Sequence, residues 1–242
     1  MNQPSQRPGH RPGDEPDSDP LAAGRMLGRR RRVTTRAEPP PEREPLGPGG
    51  PLRPERAEVL LGGGHLVDPP DRPAPRFPQS RVPWVVAQIR DALDDWRIGP
   101  GSTVITGAAR GADILIAEEA YARGAALRLC LAQPPEEFER DSVHLPGTDW
   151  TARFRRLLRQ ALRVEVLSDG PEHQSRANAW MVELATALSP EPYAIVVWDG
   201  RPGDGPGGTA DLMDRLGYPA GDPRLRVIDP TPDRSTAPPA PR

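Results

Sequence analysis

The stretch STVITGAARGADILIAEEAYARG, Ser102–Gly124, decides the fold that this sequence predicts. Its opening residues, Ser102–Thr106, are short and β-branched, which is typical of a buried strand. Gly107 and Gly111 bracket the turn that follows, and good helix formers fill Asp113–Ala122. A strand that turns into a helix at glycines is the repeating unit of parallel α/β sheets.

The start of this helix allows two interpretations. Unpaired backbone N–H groups and the positive end of the helix dipole lie beside Arg110, which would suit a phosphate group. Alternatively, Gly111 and Ala112 are small only so that the helix can pack closely on the sheet. The stretch by itself supports both interpretations equally.

Outward from this unit, strand-like and helix-like segments alternate along the chain. The alternation predicts a three-layer, Rossmann-like α/β domain over 56–230, with helices on both faces of a mostly parallel sheet. About six strands are expected, five of them outside the central unit, and a helix is expected at Thr209–Leu216. The five predicted strands are Ala57–Leu61, Ala126–Ala132, Arg163–Leu167, Tyr193–Trp198 and Arg224–Ile228.

The two ends of the chain have a different composition. Sixteen of the 34 prolines and many charged residues fall in 1–55 and 231–242, where few side chains could form a core. Both segments are therefore predicted to be disordered tails. The basic run Arg29–Arg32 is interpreted as part of a solvated tail, because nearby acidic residues balance its charge.

Composition excludes several classes of function. The formal net charge of −2 does not favour nucleic acid or an anionic membrane as a partner. No apolar run reaches the roughly 18 residues of a membrane span, and no signal-peptide pattern opens the chain, so a cytoplasmic location is expected. A single cysteine, Cys130, excludes an internal disulfide and a cysteine-rich zinc site. Every basic residue is Arg, which is interpreted as GC-rich coding.

Three glycine-bearing segments follow predicted strands: Gly62–Asp68, Gly107–Asp113 and Asp199–Thr209. In a parallel sheet such segments meet at the carboxyl edge, where ligands bind. We therefore expect a nucleotide or phosphate site there. The candidate ligand-binding residues are Gly63, Gly64, His65, Gly107, Arg110, Gly111, Asn178, Asp199, Gly200, Pro206, Gly207, Gly208 and Thr209.

Two of these segments resemble a known family. Thr106–Asp113, followed by its alanine-rich helix, resembles the second strand–helix unit of the SLOG superfamily, which includes the LOG cytokinin-activating enzymes and the DNA-processing protein DprA. Gly205–Thr209, GPGGT, is similar to the signature of the LOG group. The resemblance covers about 58–229. It implies a modified Rossmann fold and a homodimer.

The resemblance also implies a ligand class: a nucleoside monophosphate, ADP-ribose or a cyclic nucleotide. Gly207–Thr209 would cradle its phosphate, and Arg110 would neutralise the charge. Asp199 and Asp204 are candidates for holding Mg²⁺ beside a phosphate, although aspartates in such a segment are more typical of turns. No other metal is expected, because the chain has four histidines and one cysteine.

The sequence departs from the LOG pattern at the catalytic glutamate, where Leu212 stands. N-glycosidic cleavage needs a carboxylate, so a nucleotide-sensing domain without turnover is the leading hypothesis. The alternative is a nucleoside-monophosphate phosphoribohydrolase, for which Arg110, Asp113 and Asp211 are the catalytic candidates. A third hypothesis is a non-catalytic protein-interaction module that uses its Arg-rich tail.

Overall fold

A computed structural model describes residues 58–167, 173–202 and 207–231. Within these ranges the chain forms one sheet of six strands, all parallel, with helices on both faces. The predicted three-layer, Rossmann-like α/β fold is therefore confirmed. The predicted tails, 1–55 and 231–242, lie outside the described residues except for Thr231, and so do Pro206 and Asp204.

Each strand overlaps a segment that the sequence predicted. The strands are β1 (Val59–Gly64), β2 (Thr103–Thr106), β3 (Ala126–Leu131), β4 (Arg163–Val166), β5 (Tyr193–Val197) and β6 (Leu225–Ile228). The helices are α1 (Val82–Asp95), α2 (Ala112–Ala122), α3 (Pro135–Phe138), α4 (Trp150–Gln160), α5 (His173–Leu188) and α6 (Thr209–Leu216). A 3₁₀ turn, Gln79–Arg81, precedes α1, and a π-helical turn, Glu139–Val143, follows α3.

Strand periodicity divides the core into two layers, because successive strand residues point to opposite faces of the sheet. Leu60 of β1 packs in one apolar cluster with Ile89 of α1 and Ile116 of α2. Leu61, the next residue, belongs to the opposite cluster with Trp180 and other residues of α5. Helices α1, α2 and α4 therefore cover one face, and α5 and α6 cover the other.

Strand order places the candidate site. The order is β4-β3-β2-β1-β5-β6, so the chain builds outward from β1 to β4 and then crosses back to place β5 on the other side of β1. The direction of winding thus reverses between β1 and β5. In parallel sheets the loops diverge at such a point and leave a crevice beyond the carboxyl ends of the strands.

The first strand is longer than its sequence predicted. Gly62–Gly64 were expected to form a loop, but they pair with Ile195–Val197 as the last part of β1. A side chain at Gly62 would meet Ile116 of α2, and one at Gly63 would meet Leu212 of α6. These glycines therefore let helices from both layers approach the end of the central strand.

Among the described helices, none combines the length and the apolar character that crossing a bilayer requires.

Candidate functional site

A cleft of about 240 Å³ opens at the carboxyl edge of the sheet. It lies beyond the ends of β1, β2 and β3, and residues of α5 and α6 form one wall. All three glycine-bearing segments contribute to it. The glycines that line it are Gly63, Gly64, Gly107, Gly207 and Gly208.

One side of the cleft is a chain of polar groups that joins β1, β5 and α6. His65 follows β1, and its Nε2 lies 3.0 Å from Oδ1 of Asp199, which follows β5. The other ring nitrogen, Nδ1, lies 3.2 Å from the hydroxyl oxygen of Thr209, the first residue of α6. Arg76 donates to both carboxylate oxygens of Asp199, at 2.9 and 2.6 Å. His65, Arg76 and Thr209 line the cleft, and Asp199 lies behind them.

This polar chain is buried, and its groups perturb one another. Burial by itself would raise the pKa of Asp199, but hydrogen bonds from Arg76, His65 and the backbone N–H of Arg201 hold that pKa below its usual range. Burial lowers the pKa of His65, although Asp199 opposes that shift. Asp199 is therefore ionised and His65 neutral in the unliganded protein near neutral pH.

The loop between β1 and α1 is fixed over the cleft by Asp68. Its Oδ2 accepts the backbone N–H groups of Arg76 and Phe77, at 2.7 and 2.6 Å. Its Oδ1 lies 3.4 Å from Nη1 of Arg72. Both arginines line the cleft. The loop therefore places two guanidinium groups, those of Arg72 and Arg76, beside the cleft. Both positions depend on the carboxylate of Asp68.

Asp113 stands at the floor of the cleft in the first turn of α2. The residue is 7% exposed, and its Oδ2 accepts the backbone N–H of Ala109 at 3.2 Å. Oδ1 lies near the space above Gly63, where Leu212 also points. Burial raises the pKa of Asp113 to about 7, although backbone N–H groups and Thr106 oppose the shift. This carboxyl can therefore gain or lose a proton at neutral pH.

Asn178 ties the wall of the cleft together. Its side-chain amide donates to the carbonyl of Gly207 at 3.0 Å and to Oδ2 of Asp211 at 2.8 Å. Asp211 also accepts hydrogen bonds from Ser175 and Arg215, and it does not line the cleft. Burial would raise the pKa of Asp211, but Arg215 and Asn178 hold it below the usual value. Asp211 thus joins α5 to α6, whereas Asn178 faces the cleft.

Two predicted site residues lie behind the cleft wall. The Arg110 side chain donates to the backbone carbonyl of Val67 at 3.1 Å, and burial lowers its pKa. Gly111 has φ 97°, and a Cβ there would lie 2.6 Å from the carbonyl oxygen of His65. The N–H of Ala112 donates to that same carbonyl. The loop after β1 therefore takes the first N–H of α2 and lies directly against Gly111, so the close-packing interpretation applies to Gly111.

The remaining predicted residues fall at the rim or outside the described ranges. Gly200 is an exposed turn residue with φ 76°, and it does not line the cleft. Asp199, a candidate Mg²⁺ ligand, uses its carboxylate oxygens on Arg76 and His65. In the described part of the chain, no cluster of three or more His, Cys, Asp or Glu residues has the arrangement of a metal site.

Sequence reasoning missed the cations of the cleft and its apolar wall. Arg72 and Arg76 occur in a proline-rich loop that carries no motif. The one signal that could have marked them as site residues is that this loop follows the carboxyl end of β1. Phe138 and Met181 line the cleft, but their spacing in the sequence is also typical of core residues.

No protein-family model and no curated protein sequence matches the chain.

Proposed function

We propose that the cleft binds a nucleotide or a nucleotide derivative. The observation that carries this proposal is the coincidence of three features: a crevice at the β1–β5 reversal, five glycines around it, and the N-terminal end of α6 on its wall. Backbone N–H groups exposed by glycines are suited to phosphate oxygens. Glycines also leave room for a ligand to approach the backbone.

The residues that line the cleft include partners for both the phosphate and the base of a nucleotide. Gly207, Gly208 and Thr209 would face the phosphate, with Arg72 contributing positive charge from the opposite loop. Phe138 and Met181 would pack on the base. Asp113 and Asn178, which also line the cleft, would hydrogen-bond the ribose or the edge of the base.

A sensor domain of the SLOG type is the function that this arrangement supports best. The similarity of Thr106–Asp113 and Gly205–Thr209 to that superfamily agrees with it. Leu212, which replaces the glutamate of the LOG enzymes, is buried against Gly63 and offers no proton. In this proposal the protein is a cytoplasmic homodimer that binds its ligand without turnover.

One observation favours the enzymatic alternative, a nucleoside-monophosphate phosphoribohydrolase. Asp113 shares the space above Gly63 with Leu212, so a carboxyl group lies near the position where the LOG enzymes carry their glutamate. Its pKa of about 7 would allow it to protonate a leaving base or activate water. Asp211 does not share this position, because it joins α5 to α6.

A thermal-shift screen with AMP, ADP-ribose and cyclic AMP tests binding, because a ligand that binds only the folded state raises Tm. Free base released from AMP, measured in parallel by chromatography, separates the enzyme from the sensor. Gly208→Leu should abolish the shift, whereas Ala187→Leu, on the exposed side of α5, should retain it. Gly208 has φ −77°, so leucine adds bulk without backbone strain. The proposal would be overturned if the two variants showed equal shifts in Tm. It would also be overturned if no nucleotide raised the Tm of the wild-type protein.

A further inference from the structure

We propose that His65 is a positioning residue that sets the direction of the Thr209 hydroxyl, so that binding of an anionic ligand in the cleft takes up one proton. The proposal rests on the proposed function, because it concerns how the same cleft holds its ligand. It adds a coupling between proton and ligand that the glycines and the helix end do not provide.

The geometry of the polar chain defines a direction for each hydrogen. Asp199 is ionised and held by Arg76, so its Oδ1 accepts the Nε2–H of His65 at 3.0 Å. The backbone N–H of Asp199 also approaches Nε2, but at the longer distance of 3.3 Å, and this contact would require the other tautomer. A carboxylate acceptor favours the hydrogen on Nε2. The lone pair of Nδ1 then faces Thr209.

In the neutral state, Thr209 therefore donates its only hydroxyl hydrogen to Nδ1 of His65. The hydroxyl then presents lone pairs to the cleft, and these repel the oxygen of an anion. When His65 gains a proton at Nδ1, it donates to the Thr209 oxygen instead. The hydroxyl hydrogen is released toward the cleft, where it can donate to a phosphate oxygen.

The charged groups around His65 explain why the proton arrives with the ligand. From the loop after β1, Arg76 opposes a positive charge on His65, and Asp68 favours one; from β5, Asp199 also favours one. From α6 the facing group is the uncharged Thr209, and from α2 Asp113 lines the same cleft. Arg201, 4.0 Å from Asp199, is the outermost cation.

Burial keeps His65 neutral in the empty cleft, since its pKa is lowered from the ordinary value. An anion beside Thr209 would add a negative charge and restore the pKa, so proton and ligand should bind cooperatively. By linkage, each favours the other to the same extent. Affinity should therefore fall as pH rises through the pKa of His65 in the complex, by at most about tenfold per pH unit.

The test compares the dissociation constants of wild type and His65→Gln for AMP, ADP-ribose and cyclic AMP between about pH 5.5 and 8.5. The ligand's own titration is common to both proteins and cancels in the ratio of the two constants. Glutamine can still donate to Asp199 but cannot take up a proton. We expect the ratio to favour wild type increasingly as pH falls, and parallel profiles would overturn the proposal.

Thr209 supplies the matched pair of variants. Thr209→Val removes the hydroxyl at nearly constant volume and should make the pH profile shallower than that of wild type, because only the charge of His65 then acts on the ligand. Thr209→Ser keeps the hydroxyl and should restore the wild-type profile. If the hydroxyl only supported the end of the helix, the pH profiles of wild type, Thr209→Val and Thr209→Ser would be parallel. That result would count against the proposal.

Nitrogen NMR of the ring in the unliganded protein separates this proposal from the proposed function. Neutral His65 should carry its hydrogen on Nε2, where Asp199 accepts it. If no nucleotide binds at any pH, the proposed function fails together with the coupling to it. If nucleotides bind but the hydrogen lies on Nδ1, the proposed function survives and the positioning role of His65 is wrong.

Discussion

Two buried aspartates at the carboxyl edge of the sheet have opposite surroundings. Asp199 follows β5, and its fully buried side chain is held by Arg76 and His65. Asp113 follows β2, is 7% exposed, and is approached by backbone N–H groups such as that of Ala109. The pKa of Asp199 lies below its usual range, whereas that of Asp113 is raised to about 7.

The comparison shows that burial alone does not decide what a carboxylate does. Burial disfavours the charged form at both positions, and the cation of Arg76 reverses that effect only at Asp199. Asp199 therefore fixes the position of other side chains, while Asp113 keeps a proton that can be exchanged at neutral pH. Perturbed groups of the second kind, when they face a cleft, are the usual candidates for ligand contact or catalysis.

Removal of Asp199 should have the largest effect on stability. Asp199→Ala would leave Arg76, 11% exposed at its side chain, without its carboxylate partner in the polar chain. Breaking a buried ion pair in this way costs about 3–5 kcal/mol, measured as the free energy of unfolding in urea. Asp141→Asn, in an exposed pair with Arg140, is the control and should cause no resolvable change. Equal losses of unfolding free energy in the two variants would mean that Asp199 does not hold the polar chain of the cleft in place.

Asp113→Asn should have a smaller effect, and one that depends on pH. Because the folded-state pKa, about 7, lies above the unfolded value, the folded state binds more protons between about pH 4 and 7. Wild-type stability therefore falls as pH rises through that window, by at most about 4 kcal/mol. Asparagine imitates the protonated carboxyl and should remove this slope. Urea unfolding of both proteins at several pH values measures it, and parallel curves would contradict the assignment.

Asn178, in the wall of the same cleft, should rank third. Asn178→Leu removes the hydrogen bonds to Gly207 and Asp211, which are partly buried where α5 meets the start of α6. The expected loss is about 1–3 kcal/mol, because the abandoned acceptors remain partly buried. Thr186→Ala, on the exposed side of α5, is the control. A loss no larger than that of Thr186→Ala would show that the two helices pack without this amide.

Local signals in the sequence were sufficient for the fold. The turn at Gly107 and the start of α6 at Thr209 lie where the residues predicted them, because strand periodicity and glycine turns act over a few residues. The glycines of the cleft were identified for the same reason. The length of β1 was not predicted, since Gly62–Gly64 join the sheet by pairing with β5, which is far away in the sequence.

The charges of the site could not be predicted in this way. Arg76 and Asp199 are separated by 123 residues, and no periodicity relates them. The sequence pointed instead to Arg110, because that residue adjoins the glycine turn, whereas its side chain contacts the loop after β1. Adjacency in sequence indicates which residues share a segment, but the pairing of charges depends on which segments the sheet brings together.

Arg110 therefore supplies the last and smallest prediction. Since its side chain donates to the carbonyl of Val67, Arg110→Leu should cost about 1 kcal/mol of stability, the usual value of one such hydrogen bond. Nucleotide affinity should change by less than about twofold, because the side chain lies behind the cleft wall. Arg72→Leu, which removes a cation that lines the cleft, is the matched variant and should weaken binding more. If Arg110→Leu abolished binding while Arg72→Leu did not, the phosphate would lie at α2 rather than at α6.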